Sequence, residues 1–236
     1  VNLRPLIATP CYGGVVAHEH KDAMVDLAVN LTQVGISFRT YSLANESIVD
    51  RARNECVAEF LEDESLTHLF FIDADIAFRP QDFYDMLVSS LDFVVGPYRK
   101  KHPTEQWTTT FLPGPQEIFS IPSAPSKRFM ECAEGGTGFM CLSRWAVTRL
   151  QEVSALYVGG VESSRTCWDV FRCPIDAGVR IGEDQYVCRR WRELGGQVWC
   201  SLGAKLGHVG HGMIYRGDFV RHLEVSSPGL ILPVRS

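Results

Sequence analysis

No run in this chain is apolar for the length that a bilayer span requires, and no Lys/Arg tract forms a nucleic-acid or membrane footprint. The densest basic cluster, Arg189-Arg190-Trp191-Arg192, falls inside a helical pattern. Neither a nucleic-acid partner nor a transmembrane segment is therefore expected. A nucleotide needs only local groups, so it stays compatible with the formal net charge of -5. Val1 to Leu6 lacks the long apolar core of a secretory leader. The eight cysteines show no CxxC spacing, and in a chain of this size they read as free thiols in a reducing compartment. A cytoplasmic location is expected on that basis, with Cys167 and Cys173 the one pair worth checking for a bridge. The glycines at Gly135, Gly136 and Gly138 lack the spacing and context of a dinucleotide fingerprint.

What the chain does contain is enough apolar material, 45 % of 236 residues, for a substantial core. Its most informative stretch is His68-Leu69-Phe70-Phe71-Ile72-Asp73-Ala74-Asp75. The first five residues are apolar, aromatic or β-branched and too few for a helix, so they predict a buried strand. That strand runs directly into two aspartates one residue apart. Carboxylates this close repel unless a cation neutralises them, and Mg²⁺ or Mn²⁺ with substrate phosphates does so well. The plain alternative is that Asp73 caps a turn and Asp75 is solvated.

The flanking pattern supports alternating strands and helices. Leu6 to Pro10 predicts a first strand, and Cys11-Tyr12-Gly13-Gly14 a loop. Met24, Leu27, Ala28 and Leu31 lie on one helical face, and Ile36 to Ser42 predicts a second strand. Asn45-Glu46-Ser47 is expected to cap a helix carrying Ser47, Arg51, Arg53 and Asn54 in its opening turns. A helix follows Pro80, then a strand over Leu91 to Val95, then three successive cations at Arg99, Lys100 and Lys101. Strands joined through helices are expected to be parallel. Residues 102–125 suggest loops and an antiparallel ribbon, and Phe129 to Ala133 and Phe139 to Leu142 suggest strands. Gln151 to Val179 has no clear pattern. Gly182 to Leu194 predicts a helix with Glu183 and Asp184 in its first turn and Gly195-Gly196 as its stop. Gln197 to Cys200 suggests a strand, Leu206 to Gly212 a loop with His208 and His211, and the chain after Phe219 is weakly patterned. Pro228 and Pro233 argue for an extended end.

The Asp73-Ala74-Asp75 strand, the Glu183-Asp184 helix with Cys188-Arg189-Arg190-Trp191, and the Leu206-Gly207-His208-Val209-Gly210 segment occur in the order found in GT-A glycosyltransferases. Over roughly residues 5–217 the chain resembles the small single-domain members related to inverting family 2. The resemblance implies an α/β, Rossmann-like three-layer sandwich with a mostly parallel central sheet and a smaller antiparallel ribbon. It implies one catalytic domain over residues 1–220, with a donor-binding half to about 101, an acceptor-side half from about 102, and a tail over 221–236.

By the same resemblance, Asp75 and His208 are expected to bind the metal, with Asp73 on the ribose or supporting the metal shell. Thr9, Tyr12, Arg51, Asn54, Lys100 and Gly136 are expected around the nucleotide-sugar donor, and Asp184 is expected to be the general base. The implied donor is a nucleoside-diphosphate sugar, UDP ranked ahead of GDP, with Mn²⁺ or Mg²⁺ as cofactor. The acceptor is a hydroxyl-bearing glycan or small molecule, and weak homo-oligomerisation is allowed. Inversion is expected; a retaining enzyme would leave Asp184 to orient the acceptor. The competing readings are a nucleotidyltransferase that forms a sugar nucleotide and a sugar-nucleotide-binding domain without turnover.

Overall fold

A computed structural model describes residues 3–121, 124–159, 164–227 and 229–230. The chain begins β1 (Pro5–Pro10), a short 3-10 turn, α1 (His18–Gln33), β2 (Arg39–Leu43), α2 (Val49–Leu61) and β3 (His68–Ile72). It continues with β4 (Ile76–Ala77), α3 (Pro80–Leu87), β5 (Phe93–Val95), β6 (Ile118–Ile121), β7 (Ala124–Cys132), β8 (Phe139–Ser143) and α4 (Arg144–Glu152). The last third holds β9 (Leu156–Gly159), β10 (Arg165–Trp168), β11 (Ile175–Asp176), β12 (Val179–Arg180) and α5 (Glu183–Glu193). It closes with β13 (Val198–Ser201), β14 (Gly207–Gly210), β15 (Met213–Tyr215) and α6 (Phe219–Ser226).

Eight strands form one sheet in the order β2-β1-β3-β8-β5-β13-β7-β6. β1 pairs in parallel with β2 and β3, and β5 with β13, whereas β8 runs antiparallel between β3 and β5. Both faces are covered, which explains the unbroken apolar runs in the central strands. Leu6, Leu69 and Phe71 point to one side with α2, α4, α5 and α6, while Ile7, Phe70 and Ile72 point to the other with α1 and α3. This is the three-layer α/β sandwich, and smaller antiparallel sheets flank it.

Four local expectations change. The second helix starts at Val49 with Ile48 at its cap, and Glu46 Oε1, not Ser47, accepts the Ile48 N–H at 3.0 Å. The glycine-rich segment around His208 is a strand, since β14 pairs with β15 and with β4 just after the acidic turn. The patternless region between α4 and α5 holds two antiparallel strand pairs, β9–β10 and β11–β12, whose short strands, exposed in β11 and β12, leave little apolar periodicity to read. The weak pattern after Phe219 conceals α6, which Asp218 caps and which buries Phe219 and Leu223 against Trp107 and Phe111. Pro228 and Pro233 lie outside the described residues. Cys167 and Cys173 are both free thiols. No described helix is long and apolar enough to cross a membrane.

Candidate active site

The turn that carries the two aspartates is fixed by backbone hydrogen bonds to three separate segments. Asp73 N–H donates to Gly138 O, Ala17 N–H to Ala74 O and Val209 N–H to Asp75 O, at 2.8 to 2.9 Å. Ile76 N–H closes the turn on Asp73 O at 3.0 Å. The buried β3 strand thus delivers its acids at the carboxyl edge of the sheet, where open α/β folds place their ligands. A cavity of about 460 Å³ opens there, lined by Cys11, Tyr12, Ser47, Arg53, Asp73 and Asp75 among others. Tyr12 stands at the site on the 3-10 turn, 71 % exposed, where a ring can cover a nucleobase.

Asp75 and His208 meet, although far apart in sequence. His208 Nε2 lies 3.6 Å from Asp75 Oδ2. On the other side of the ring, Nδ1 is 2.8 Å from Arg99 O, and because a carbonyl only accepts, Nδ1 carries the proton. Nε2 is therefore the ring nitrogen turned toward the acid, with Nδ1–H anchored on a backbone carbonyl as in metal-binding histidines. Lys101 Nζ also contacts Asp75. Burial alone would raise the Asp75 carboxyl, but His208 and Lys101 outweigh it and hold it at about 2. Lys100, the cation expected to contact phosphate, is exposed, whereas Lys101 is half-buried against Asp75. The chain bends here, with His102 N–H closing on Lys100 O at 2.8 Å, and the bend turns Lys101 rather than Lys100 onto the acid.

Asp73 is engaged differently. Its Oδ1 lies 2.6 Å from Arg53 Nη2, a charge contact out of line for a directed hydrogen bond. Arg53 is 2 % exposed, and its Nε and Nη1 have no partner among the described residues. Burial opposes its charge, but Asp73 and then Glu183 overcome that and raise its pKa. The guanidinium thus pairs with Asp73 at the end of the third strand and feels the charge of Glu183 at the start of α5. Sequence reasoning passed over Arg53 in favour of its neighbours, yet a cue was present. Arg53, Val57 and Phe60 recur at i, i+4 and i+7, which places an arginine on the apolar face of α2.

The neighbours lie elsewhere. Arg51 pairs with Glu46 at 3.0 Å. Asn54 is buried and holds Phe171 through both ends of its amide, accepting from Phe171 N–H at 2.8 Å and donating to Phe171 O at 3.0 Å. Both line a smaller cavity with Tyr157 and Asp169. Thr9 is buried in β1 opposite Ser42, behind the nucleotide-sized cavity.

Gly136 and Gly138 lie under the buried Tyr98 hydroxyl, which accepts the Gly138 N–H at 3.1 Å. A Cβ on Gly138 would sit 2.6 Å from that hydroxyl oxygen and 3.0 Å from Asp73 Oδ2, so glycine is required for this approach. Burial, then Asp73, raises the Tyr98 pKa, with Asp184 adding to the rise, so the phenol stays protonated. On α5, Glu183 Oε1 accepts from Thr137 Oγ1 at 3.3 Å. Asp184 Oδ1 accepts the Gln185 N–H at 2.8 Å. Burial raises both carboxyls above their ordinary range, partly offset by Arg53 at Glu183 and by the Gln185 N–H at Asp184.

The described residues contain no cluster of three or more His, Cys, Asp or Glu able to hold a metal unaided. Asp75 and His208 supply two donors, while one Asp73 oxygen is engaged by Arg53. Two protein donors suit a small divalent ion that takes its remaining oxygens from substrate phosphates and water.

No family model matches the sequence, and no curated protein matches it significantly. Among solved structures, A197 from STIV is similar at 18 % identity and TM-score 0.54, over 88 % of this chain and 86 % of that one. A glycosyltransferase involved in the glycosylation of the major capsid of PBCV-1 aligns over 61 % of this chain and 62 % of its own, at 10 % identity and TM-score 0.35. The inositol-1-phosphate CTP transferase from T. maritima aligns over 89 % and 90 %, at 12 % identity and TM-score 0.45. The likeness to A197 is one of fold. With the observed sheet order, in which one antiparallel strand interrupts a parallel set beside the acidic turn, the chain has a GT-A, Rossmann-like fold.

Proposed function

We propose that this chain is a metal-dependent glycosyltransferase that takes a sugar from a nucleoside-diphosphate sugar, UDP ahead of GDP, to a hydroxyl acceptor. The observation that carries the reading is the meeting of Asp75 and the proton-directed His208 beside a cavity of nucleotide size. A bound Mn²⁺ or Mg²⁺ would offset the charge of the departing diphosphate. Tyr12 covers the base, Lys101 reaches the phosphates in place of Lys100, and Arg53 holds Asp73 in register with α5. Asp184 takes the acceptor proton as the hydroxyl attacks from the face opposite the diphosphate, with inversion. Its raised pKa brings it nearer to the basicity that general-base catalysis needs.

Asp75→Ala and His208→Ala should each weaken Mn²⁺-dependent UDP binding by about 10- to 100-fold in calorimetry. Unchanged affinity in both would remove the metal assignment. Asp184→Asn should keep donor affinity and lower transfer by about 10²- to 10⁴-fold. In the wild type, kcat/KM should fall as pH drops through a pKa above the ordinary carboxylate range, because burial raises Asp184 and the base must be ionised.

A second reading, nucleotidyl transfer forming a sugar nucleotide, is favoured by Lys101, an ammonium at Asp75 where a triphosphate would need one. Against it, residues 10–17 after the first strand contain no Lys or Arg. This fold hosts more than one chemistry, so the products decide. Release of nucleoside diphosphate from a sugar donor supports glycosyl transfer; release of pyrophosphate from a nucleoside triphosphate and a sugar phosphate supports the alternative.

A further inference from the structure

At the opposite edge of the sheet lies a second cavity of about 400 Å³, within the size range of small-molecule sites. Ser90 to Asp92, which lead into β5, and Gly195 to Gln197, which lead into β13, form part of its wall. The strands that end at the candidate active site therefore begin here, and the two cavities share no residue.

Three of the five tryptophans line this groove: Trp145, Trp191 and Trp199. Each indole is held in place. Trp191 Nε1 donates to Gln197 O at 3.0 Å, and its ring lies directly against Gly196, where any Cβ would collide with it. Trp199 packs on Phe119, ring centroids 5.6 Å apart. The Arg149 guanidinium lies 5.6 Å from the centre of the Trp145 ring. Trp145 is nevertheless 59 % exposed, a large apolar face left in water.

The polar groups around the indoles narrow the ligand class. Asp92 Oδ1 accepts from Ser143 Oγ at 2.6 Å, and Arg149 pairs with Glu152 at 2.5 Å. Arg149, the one cation lining the groove among the described residues, is thus already paired, which makes the groove a poor site for phosphate. Trp191, only 5 % exposed, forms the floor, so the exposed Trp145 and the half-buried Trp199 present the aromatic faces. With hydrogen-bonding groups at their edges they match a pyranose ring, which offers apolar C–H faces and a rim of hydroxyls.

We infer that this groove is a second carbohydrate site, one that holds neutral pyranose units of a glycan away from the reacting centre. The inference rests on the sugar-transfer reading above for its choice of ligand. A site of this kind would retain a glycan acceptor or product between turnovers.

The test is an NMR titration of the tryptophan indole N–H signals with cellohexaose, maltohexaose and xylohexaose, and separately with UDP and Mn²⁺. At least one hexaose should shift the Trp145 indole signal, identified by its loss in Trp145→Phe. Trp145→Ala should weaken that binding about tenfold or more while leaving UDP affinity unchanged. Gln197→Ala, which keeps the backbone acceptor of Trp191, should weaken it less and serves as the second variant. Shifts absent with all three sugars up to about 10 mM, a range that still detects binding worth under about 4 kcal/mol, would overturn the proposal. So would shifts that persist unchanged in Trp145→Ala. Self-association in sedimentation that Trp145→Ala abolishes would instead make the groove a protein contact and also overturn it. Hexaose binding without any UDP binding would sink the transferase reading and leave the groove standing.

Discussion

The two edges of the sheet bury opposite kinds of group. At the carboxyl edge, Asp73, Asp75, Glu183, Arg53, Lys101 and His208 are held close together and are mostly shielded from water. At the amino edge, three indoles lie around a groove lined by few charged groups, Asp92 and Arg149 among the described residues, and shape rather than charge sets their positions. Charge can be concentrated at the first edge because the turn backbone is already satisfied by neighbouring segments, so the side chains need only satisfy one another. At the second edge the contacts are packed and weakly polar, so the structure there is governed by volume.

The sharpest way to break this contrast is Arg53→Met. It leaves the half-buried Asp73 without its paired cation, and the expected loss is about 3–5 kcal/mol in urea denaturation. Adding Asp73→Asn should restore part of that loss, since the damage comes from the unpaired acid. Equal losses in the single and double variants would mean that Arg53 acts through packing alone.

A smaller effect follows from His68, at the start of β3 and near Asp92 of the amino edge. Burial lowers its pKa from 6.5 to about 4, with Asp92 opposing the shift. The unfolded chain takes up the proton first as pH falls, so stability is complete above about 6.5 and declines toward 4. His68→Asn should remove up to about 3 kcal/mol of that decline, measured as the difference in unfolding free energy between pH 7 and pH 4. An unchanged pH dependence would place the titrating group elsewhere.

The least disruptive test addresses shape. Gly196→Ala places a methyl into the Trp191 ring and should cost about 1–3 kcal/mol while leaving UDP affinity intact. Lost UDP binding in a folded Gly196→Ala protein would show that the two edges are coupled.

Much of this molecule was legible before folding. The alternation of β1, α1, β2, α2 and β3 follows from period-2 and period-3.6 apolar patterns, and the position of Asp73 and Asp75 past a buried strand follows from the same run. The helix with Glu183 and Asp184 at its first turn and glycines at its stop was also readable, because caps are local. Less legible were β14 and α6. The former is a short strand of Gly, His and Val that exists only because β4 and β15 flank it, and the latter is one helix of 8 residues, too short for its apolar period to stand out.

The choice between neighbours marks where local reasoning stopped. Lys100 and Lys101 are chemically alike, and only the path of the chain past Asp75 decides which one meets it. Arg53 was assigned no role until α2 packed it between Asp73 and Glu183, and Asn54 became a clasp on Phe171 through a contact with a distant segment. Sequence by itself determined the strand and helix alternation of the first half, the acidic turn and the α/β class, since each depends on residues a few positions apart. Tertiary structure alone decided the insertion of β8, the partners of each charge and the gathering of three indoles, because these depend on register and packing between segments that no local period encodes.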